Sequence, residues 1–340
     1  MAVSYYQQHR PREETITVSR DPDFSGDLVC DGTADDVEIQ AAIDYVTALG
    51  GGSVKLLRGE YFLADVVVVN APVWIKGTGM TWQGDEAGTS IVSTGALAGE
   101  NMFEFFNAGD LFHFAGMSDL DLLNYDGQNS ILIRGLADAQ FRRIYFNQGV
   151  LNAIYILGDI YDMWNIWIRD CLFENMTGAG IRVDSADHDI IKCHILDNYF
   201  YACDIGVVLQ EDFDVGGYMS WFNIRGNHIW DILKTGIQLW KECDHISILD
   251  NLLSNIGTES ANTYNGIRVG DGGVAGDKCE WISIIGNIID GGTNAKWGIA
   301  LEDSTDYVTV VGNQVHRCAT LPYYEEGTVT NVEHAHNIEV

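Results

Sequence analysis

Apolar and polar residues alternate with a period of two along much of this chain, and the alternation itself recurs. The strings ISILDN ending at Asn251, ISIIGN at Asn287 and VTVVGN at Asn313 share one pattern, with HILDN at Asn198 and NIRGN at Asn227 before them. Counting back from each asparagine, the third and fifth residues are apolar: Ile195 and Cys193, Ile224 and Phe222, Ile248 and Ile246, Ile284 and Ile282, Val310 and Val308. His194, Asn223, Ser247, Ser283 and Thr309 stand between them, so each segment reads as a strand with one face buried. A second strand family, headed by Gly180, Gly206, Gly236, Gly266 and Gly298, precedes each of these. Two strands in fixed order, in a unit that recurs every 24 to 36 residues, predict a stacked parallel β-helix of about ten coils. The asparagines are then expected to stack at one turn, bonding backbone groups that the bend leaves unpaired.

Helical periodicity occurs once. Asp35 to Leu49 places Val37, Ile39, Ile43 and Val46 largely on one face and ends at Gly50-Gly-Gly, which predicts a helix near 35–49 capping the stack. The expected organisation is an N-terminal arm over 1–30, the β-helix with its cap over 31–340, and a short C-terminal tail from about 322.

Charge narrows the partners. With 19 Lys plus Arg against 49 Asp plus Glu, the formal net charge is −30, the wrong sign for nucleic acid or an anionic membrane surface. No stretch of 18 apolar residues occurs, and the N-terminus has no signal-peptide core. The seven cysteines form no CxxC pair, so buried free thiols are expected, with Cys243 and Cys279 on adjacent coils.

The segment from Cys30-Asp-Gly-Thr-Ala-Asp-Asp to Asp44, then Gly50-Gly-Gly-Ser-Val-Lys-Leu-Leu-Arg-Gly-Glu-Tyr-Phe-Leu63, resembles the N-terminal entry of pectin-lyase-like right-handed parallel β-helix proteins. Phage tailspikes and polysaccharide depolymerases belong to that superfamily. The resemblance implies an all-β, single-domain right-handed β-helix with an N-terminal capping helix and an asparagine ladder. It also implies polysaccharide or oligosaccharide as partner, homotrimeric assembly, and a place on a phage virion or release by a non-Sec route, a cytoplasmic location being the alternative. It does not fix an activity, since lyases, hydrolases, epimerases and inert adhesins share the fold. The Asp-Pro-His-Glu run of the epimerases and the polygalacturonase motif set are absent, so no family catalytic residue is carried over.

Stacked coils instead place equivalent residues in outward columns. On the glycine-headed strands one column runs Tyr155, Arg182, Val208, Gln238, Arg268, Ala300, and the next Leu157, Asp184, Gln210, Trp240, Gly270, Glu302. Aromatic faces for sugar rings and planar polar groups for hydroxyls and carboxylates are the ingredients of a carbohydrate groove. Tyr155, Arg182, Gln210, Gln238, Trp240 and Arg268 are the candidate substrate-binding residues; an ordinary solvated sheet is the alternative. Asp184, Glu211, Asp212 and Glu302 flank the groove as candidate acids for a hydrolase, which needs two carboxylates across one bond. Asp214 stands beside them.

A second, basic column is read from Arg143 and Tyr145, Trp167 and Arg169, His194, then Asn223 and Arg225. It suits a lyase, with arginine holding a uronate carboxylate and His194 or Tyr145 abstracting the α-proton, or else it balances nearby acids. Leu196, Leu249, Ile285 and Val311 form an outward aliphatic stripe. No cofactor or metal is expected, apart from Ca²⁺ that acidic turns could hold. The function expected is that of a protein that binds and cleaves a polysaccharide, as lyase or glycoside hydrolase; a binding-only or structural spike is the alternative.

Overall fold

The computed structural model describes residues 14–20, 25–81, 88–210, 216–270 and 278–339. Their strands wind into a parallel β-helix, every pairing parallel from one coil to the next. The glycine-headed strands form a ten-stranded first sheet, running from Val67–Val69 to Leu321–Glu325. The strands before each asparagine form a second sheet, for example Ile190–Leu196, and the short strands after it, such as Tyr199–Tyr201, a third. All ten inward residues counted back from the asparagines are buried, at 1% exposure or less. Phe146, Phe173 and Phe200 stack face to face inside, with ring centroids 4.8 and 4.6 Å apart.

The asparagine corner has a two-residue logic. The first residue takes left-handed backbone: Asp197 (φ 54°), Gly226 (68°), Asp250 (53°), Gly286 (70°) and Gly312 (67°). Glycine has no Cβ to clash there, and aspartate is among the few other residues that tolerate it. The second residue is the asparagine, whose Oδ1 accepts from the backbone N–H of the preceding rung. Its Nδ2 donates to the next rung's Oδ1 and to a backbone carbonyl, as in Asn227 to Asn251 Oδ1 at 3.0 Å and to Ile195 O at 2.9 Å. The ladder continues one rung further than the sequence pattern, to Asn337. It starts where Cys171 donates its backbone N–H to Asn198 Oδ1.

Helix α1 spans Asp36–Ala48 and buries Ile39, Ala42, Ile43 and Val46 on the end of the stack. Val37, expected on that face, is 61% exposed; Asp36 is buried instead and accepts the Ala64 N–H, which fixes the helix start. The N-terminal arm is partly built into the solenoid, since Thr15–Arg20 pairs with Gly52–Leu56. The stretch taken as a tail is also a coil, with Leu321–Glu325 paired to Trp297–Leu301 and Thr330–Ala335 to Thr305–Val311. Pro322 and the absence of a leading glycine disguise it in the sequence. Cys243 and Cys279 are register partners on adjacent coils, and all seven cysteines are free thiols. No helix among the described residues is long and apolar enough to cross a membrane.

Candidate functional site

The strand glycines set the shape of the first sheet's edge. A Cβ on Gly206 would lie 2.5 Å from Gly236 O, one on Gly236 2.7 Å from Gly266 O, and one on Gly266 2.5 Å from Gly298 O. The coils therefore approach too closely at these glycines for any side chain. Beside them runs the outward column in the expected register: Tyr155, Arg182, Val208, Gln238, Arg268, Ala300, extended by Tyr324.

Over the last four strands this arrangement leaves a cleft of about 550 Å³. Gln238, Trp240, Arg268 and Glu302, four of the residues singled out in the sequence, line it together. Arg268 donates through Nε to Glu302 Oε2 at 2.9 Å, and its guanidinium lies 5.3 Å from the Trp240 ring centre. Glu302 is thus held in an ion pair while only 8% exposed.

Three polar atoms in this cleft are buried without a hydrogen-bond partner among the described residues: Gln238 Nε2, Asn265 Oδ1 and Trp297 Nε1. Gln238 and Asn265 are each 4% exposed. A buried donor or acceptor left unmade costs about 1–3 kcal/mol, so two donors and one acceptor on residues lining one cavity single it out as the candidate site. Lys296 places its ammonium 3.8 Å from the Trp297 ring centre and meets no carboxylate at ion-pair distance among the described residues. Lys234 is paired with Asp204 at 2.6 Å.

Sequence reasoning missed Lys234, Asn265, Lys296 and Trp297, although the signal was present. They occupy the two positions before each strand glycine, so reading the glycine repeat two residues upstream would have found them. Tyr324 and Glu326 were missed because their coil was taken for a tail. Glu326 follows the residue paired with Leu301, so it sits one coil from Glu302 and also lines the cleft.

The other candidates divide. Tyr155, Arg182 and Asp184 form a separate cluster on the same sheet: the Tyr155 hydroxyl and Arg182 Nε both donate to Asp184 Oδ2, at 2.7 and 2.9 Å. Four coils separate Asp184 from Glu302, roughly 19 Å at one strand spacing per coil, too far to act on one glycosidic bond. Gln210 ends its strand between the two groups. Glu211, Asp212 and Asp214 lie outside the described residues.

His194 is not in the cleft. It lies on the second sheet, its ring stacked 3.9 Å from that of Trp167 and its Nδ1 buried without a partner among the described residues, and burial with nearby Lys192 holds its pKa below the usual histidine value. The basic column is also three residues out of register at its first coil. Gln140 pairs with Trp167 and Arg142 with Arg169, while Arg143 turns the corner at φ 49° and Tyr145 is 2% exposed on the third sheet. Arg143 is ion-paired with Asp119, and Arg225 with Asp250 at 3.3 Å, so these arginines balance local acids.

One cluster of metal-ligating atoms occurs among the described residues, Cys30, Asp35 and Glu38 within 4.8 Å of one another. Asp35 already accepts the N–H groups of Gly32 and Phe62, and one sulfur with two carboxylates does not suit the six-to-eight-oxygen shell of calcium.

Residues 117–266 match the family described as "Right handed beta helix region". No curated protein matches the sequence. Among solved structures, the chain is similar to ORF18 of Geobacillus virus E2 (TM-score 0.60, 16% identity, 91% of this chain and 58% of that one). It is similar to an alginate lyase from Paenibacillus sp. str. FPU-7 (TM-score 0.60, 13% identity, 93% and 99%). A tailspike protein of E. coli bacteriophage HK620, solved with a pentasaccharide, also resembles it (TM-score 0.55, 16% identity, 94% and 65%). The chain thus spans 58% of the length of the Geobacillus virus protein. Fold and match agree: the chain is a right-handed parallel β-helix.

Proposed function

We propose that this protein binds a polysaccharide in the cleft over the last four strands of the first sheet and hydrolyses it there. The observation that carries the reading is the convergence of Gln238 Nε2, Asn265 Oδ1 and Trp297 Nε1, all buried and unpartnered among the described residues, on one cavity. Sugar hydroxyls both donate and accept, so one ligand class satisfies all three atoms. Trp240 supplies an aromatic platform beside them, and the ammonium of Lys296, which meets no carboxylate among the described residues, suits an acidic substituent. Fold neighbours that include a tailspike solved with a pentasaccharide and an alginate lyase support the substrate class, and the phage neighbours support a place on a virion.

For cleavage, Glu302 and Glu326 stand on consecutive coils of the cleft. One strand spacing, about 4.8 Å, separates their backbones. Direct attack by water needs the two carboxyl groups roughly 6.5–9.5 Å apart, as in inverting glycosidases, a separation that two glutamate side chains diverging from adjacent coils can span. Glu302, ion-paired to Arg268, takes the proton of the attacking water. Glu326 gives its proton to the leaving glycosidic oxygen as the C–O bond breaks, and the hydroxyl of water ends on the anomeric carbon. With a bound polysaccharide, Glu302→Gln and Glu326→Gln should each slow reducing-end release by roughly 10²–10⁴-fold while leaving binding in place. Absorbance from unsaturated uronates instead of plain reducing ends would make the enzyme a lyase. Binding without any cleavage in the wild type would leave a spike or adhesin.

A further inference from the structure

The third sheet carries a second, smaller hollow on a face the cleft does not share. Its outward residues fall in two neighbouring columns, Leu172, Tyr199 and His228 in one and Glu174, Tyr201 and Trp230 in the other. Between them lies a trough of about 140 Å³ lined by Leu172, Glu174, Tyr199, Tyr201 and Trp230. Three aromatic rings and one carboxylate thus surround a space well below the ~300–1,000 Å³ of an ordinary ligand pocket. A single small head group fits such a volume; a run of sugar rings does not.

Ring geometry separates this trough from the other exposed aromatics. On the second sheet Trp221, His245, Trp281 and Tyr307 stack nearly parallel, with successive centroids 4.2, 5.9 and 4.3 Å apart, so their faces are spent on one another. In the trough Tyr201 and Trp230 are tilted by 48° at 5.3 Å, and Tyr199 meets His228 edge-on at 90°. Their faces are not covered in this way, and Trp230 is 40% exposed.

Glu174 supplies the charge. It accepts a hydrogen bond from the hydroxyl of buried Tyr145, and no Lys, Arg or His lies within ion-pair distance of it among the described residues. An aromatic ring attracts a cation through the negative potential of its face, and a partly desolvated carboxylate without a counter-ion attracts one through its charge. A net charge of −30 concentrates cations around the whole molecule.

We propose that this trough is a binding site for an organic cation of the alkylammonium class, its methyl groups against Tyr199, Tyr201 and Trp230 and its charge opposite Glu174. The cation is either a free quaternary amine or an ammonium substituent on a larger molecule, and both present the same head group.

The full-length protein titrated with tetramethylammonium chloride and with choline, against sodium chloride at equal ionic strength, should bind both saturably in calorimetry and in saturation transfer to the ligand methyls. Trp230→Ala and Glu174→Gln should weaken binding at least tenfold, with circular dichroism confirming that each variant is folded. Trp281→Ala and Trp240→Ala should leave it unchanged, which separates this site from the polysaccharide cleft. Neutral tert-butyl alcohol, similar in shape, should not compete. Absence of saturable binding to the wild type, equal affinity in Trp230→Ala, or competition by the neutral alcohol would each overturn the proposal. Binding of tetramethylammonium but not of choline would confine the site to the free, unsubstituted head group.

Discussion

At the scale of single residues, the corner asparagines convert a bend into a continuous hydrogen-bond ladder. Asn251 gives one hydrogen bond to Asn287 Oδ1 and one to Ile224 O, and its Oδ1 accepts from both the backbone N–H and the side-chain amide of Asn227. Replacing it with alanine strands the Asn227 groups and the Ile224 carbonyl inside the protein. At about 1–3 kcal/mol per buried unmade partner, Asn251→Ala should cost roughly 3–5 kcal/mol. Asn337 ends the ladder half-buried, so Asn337→Ala should cost only about 1 kcal/mol. Urea unfolding of the two variants measures the difference; equal costs would mean that the ladder is decoration. The asparagines were legible because they recur in matching context at their corner. Their left-handed partners were less so, since aspartate, glycine, arginine and histidine all fill that position, as Arg143 and His336 show. The earlier coils carry Leu120, Ile144 and Cys171 where asparagine later stands. With no asparagine to count from, the register of Arg143 and Tyr145 slipped.

At the scale of elements, each strand's function follows from which column it feeds. The first-sheet columns read correctly because the inward residues Ile154, Ile181, Val207, Ile237 and Ile267 fix the pleat, and a one-residue slip would bury the polar face. What the pattern could not show is which columns meet in a cleft, since that depends on turn residues with no period of their own. One histidine on the second sheet and one on the third carry a pH signature instead. His194 and His228 have pKa values lowered by burial, further helped at His194 by Lys192. The unfolded chain therefore binds protons more readily than the folded one at these positions. Their contribution is intact above the unfolded value of 6.5 and is lost as pH falls from there toward the lowered folded values. His194→Gln should thus flatten the fall in stability between about pH 7 and pH 5, read as urea midpoints across that range. An unchanged slope would show that His194 titrates as it would in water.

At the scale of the whole molecule, the stack is a continuous solenoid with three distinct sheet faces. The cleft occupies the last four strands of the first sheet, the aromatic trough lies on the third, and the stacked aromatics lie on the second. Because neighbouring coils share only their own interface, a side chain on one face can change without disturbing another. That separation permits one direct test of the central claim, that polysaccharide binds over the first sheet. A panel of neutral and acidic polysaccharides is titrated into the wild type, Trp240→Ala and His194→Ala. We expect at least one polysaccharide to bind, Trp240→Ala to weaken it by roughly 1–3 kcal/mol, the scale of aromatic stacking on planar rings, and His194→Ala to bind as the wild type does. Binding that survives in Trp240→Ala but is lost in His194→Ala would place the site on the second sheet and contradict the account.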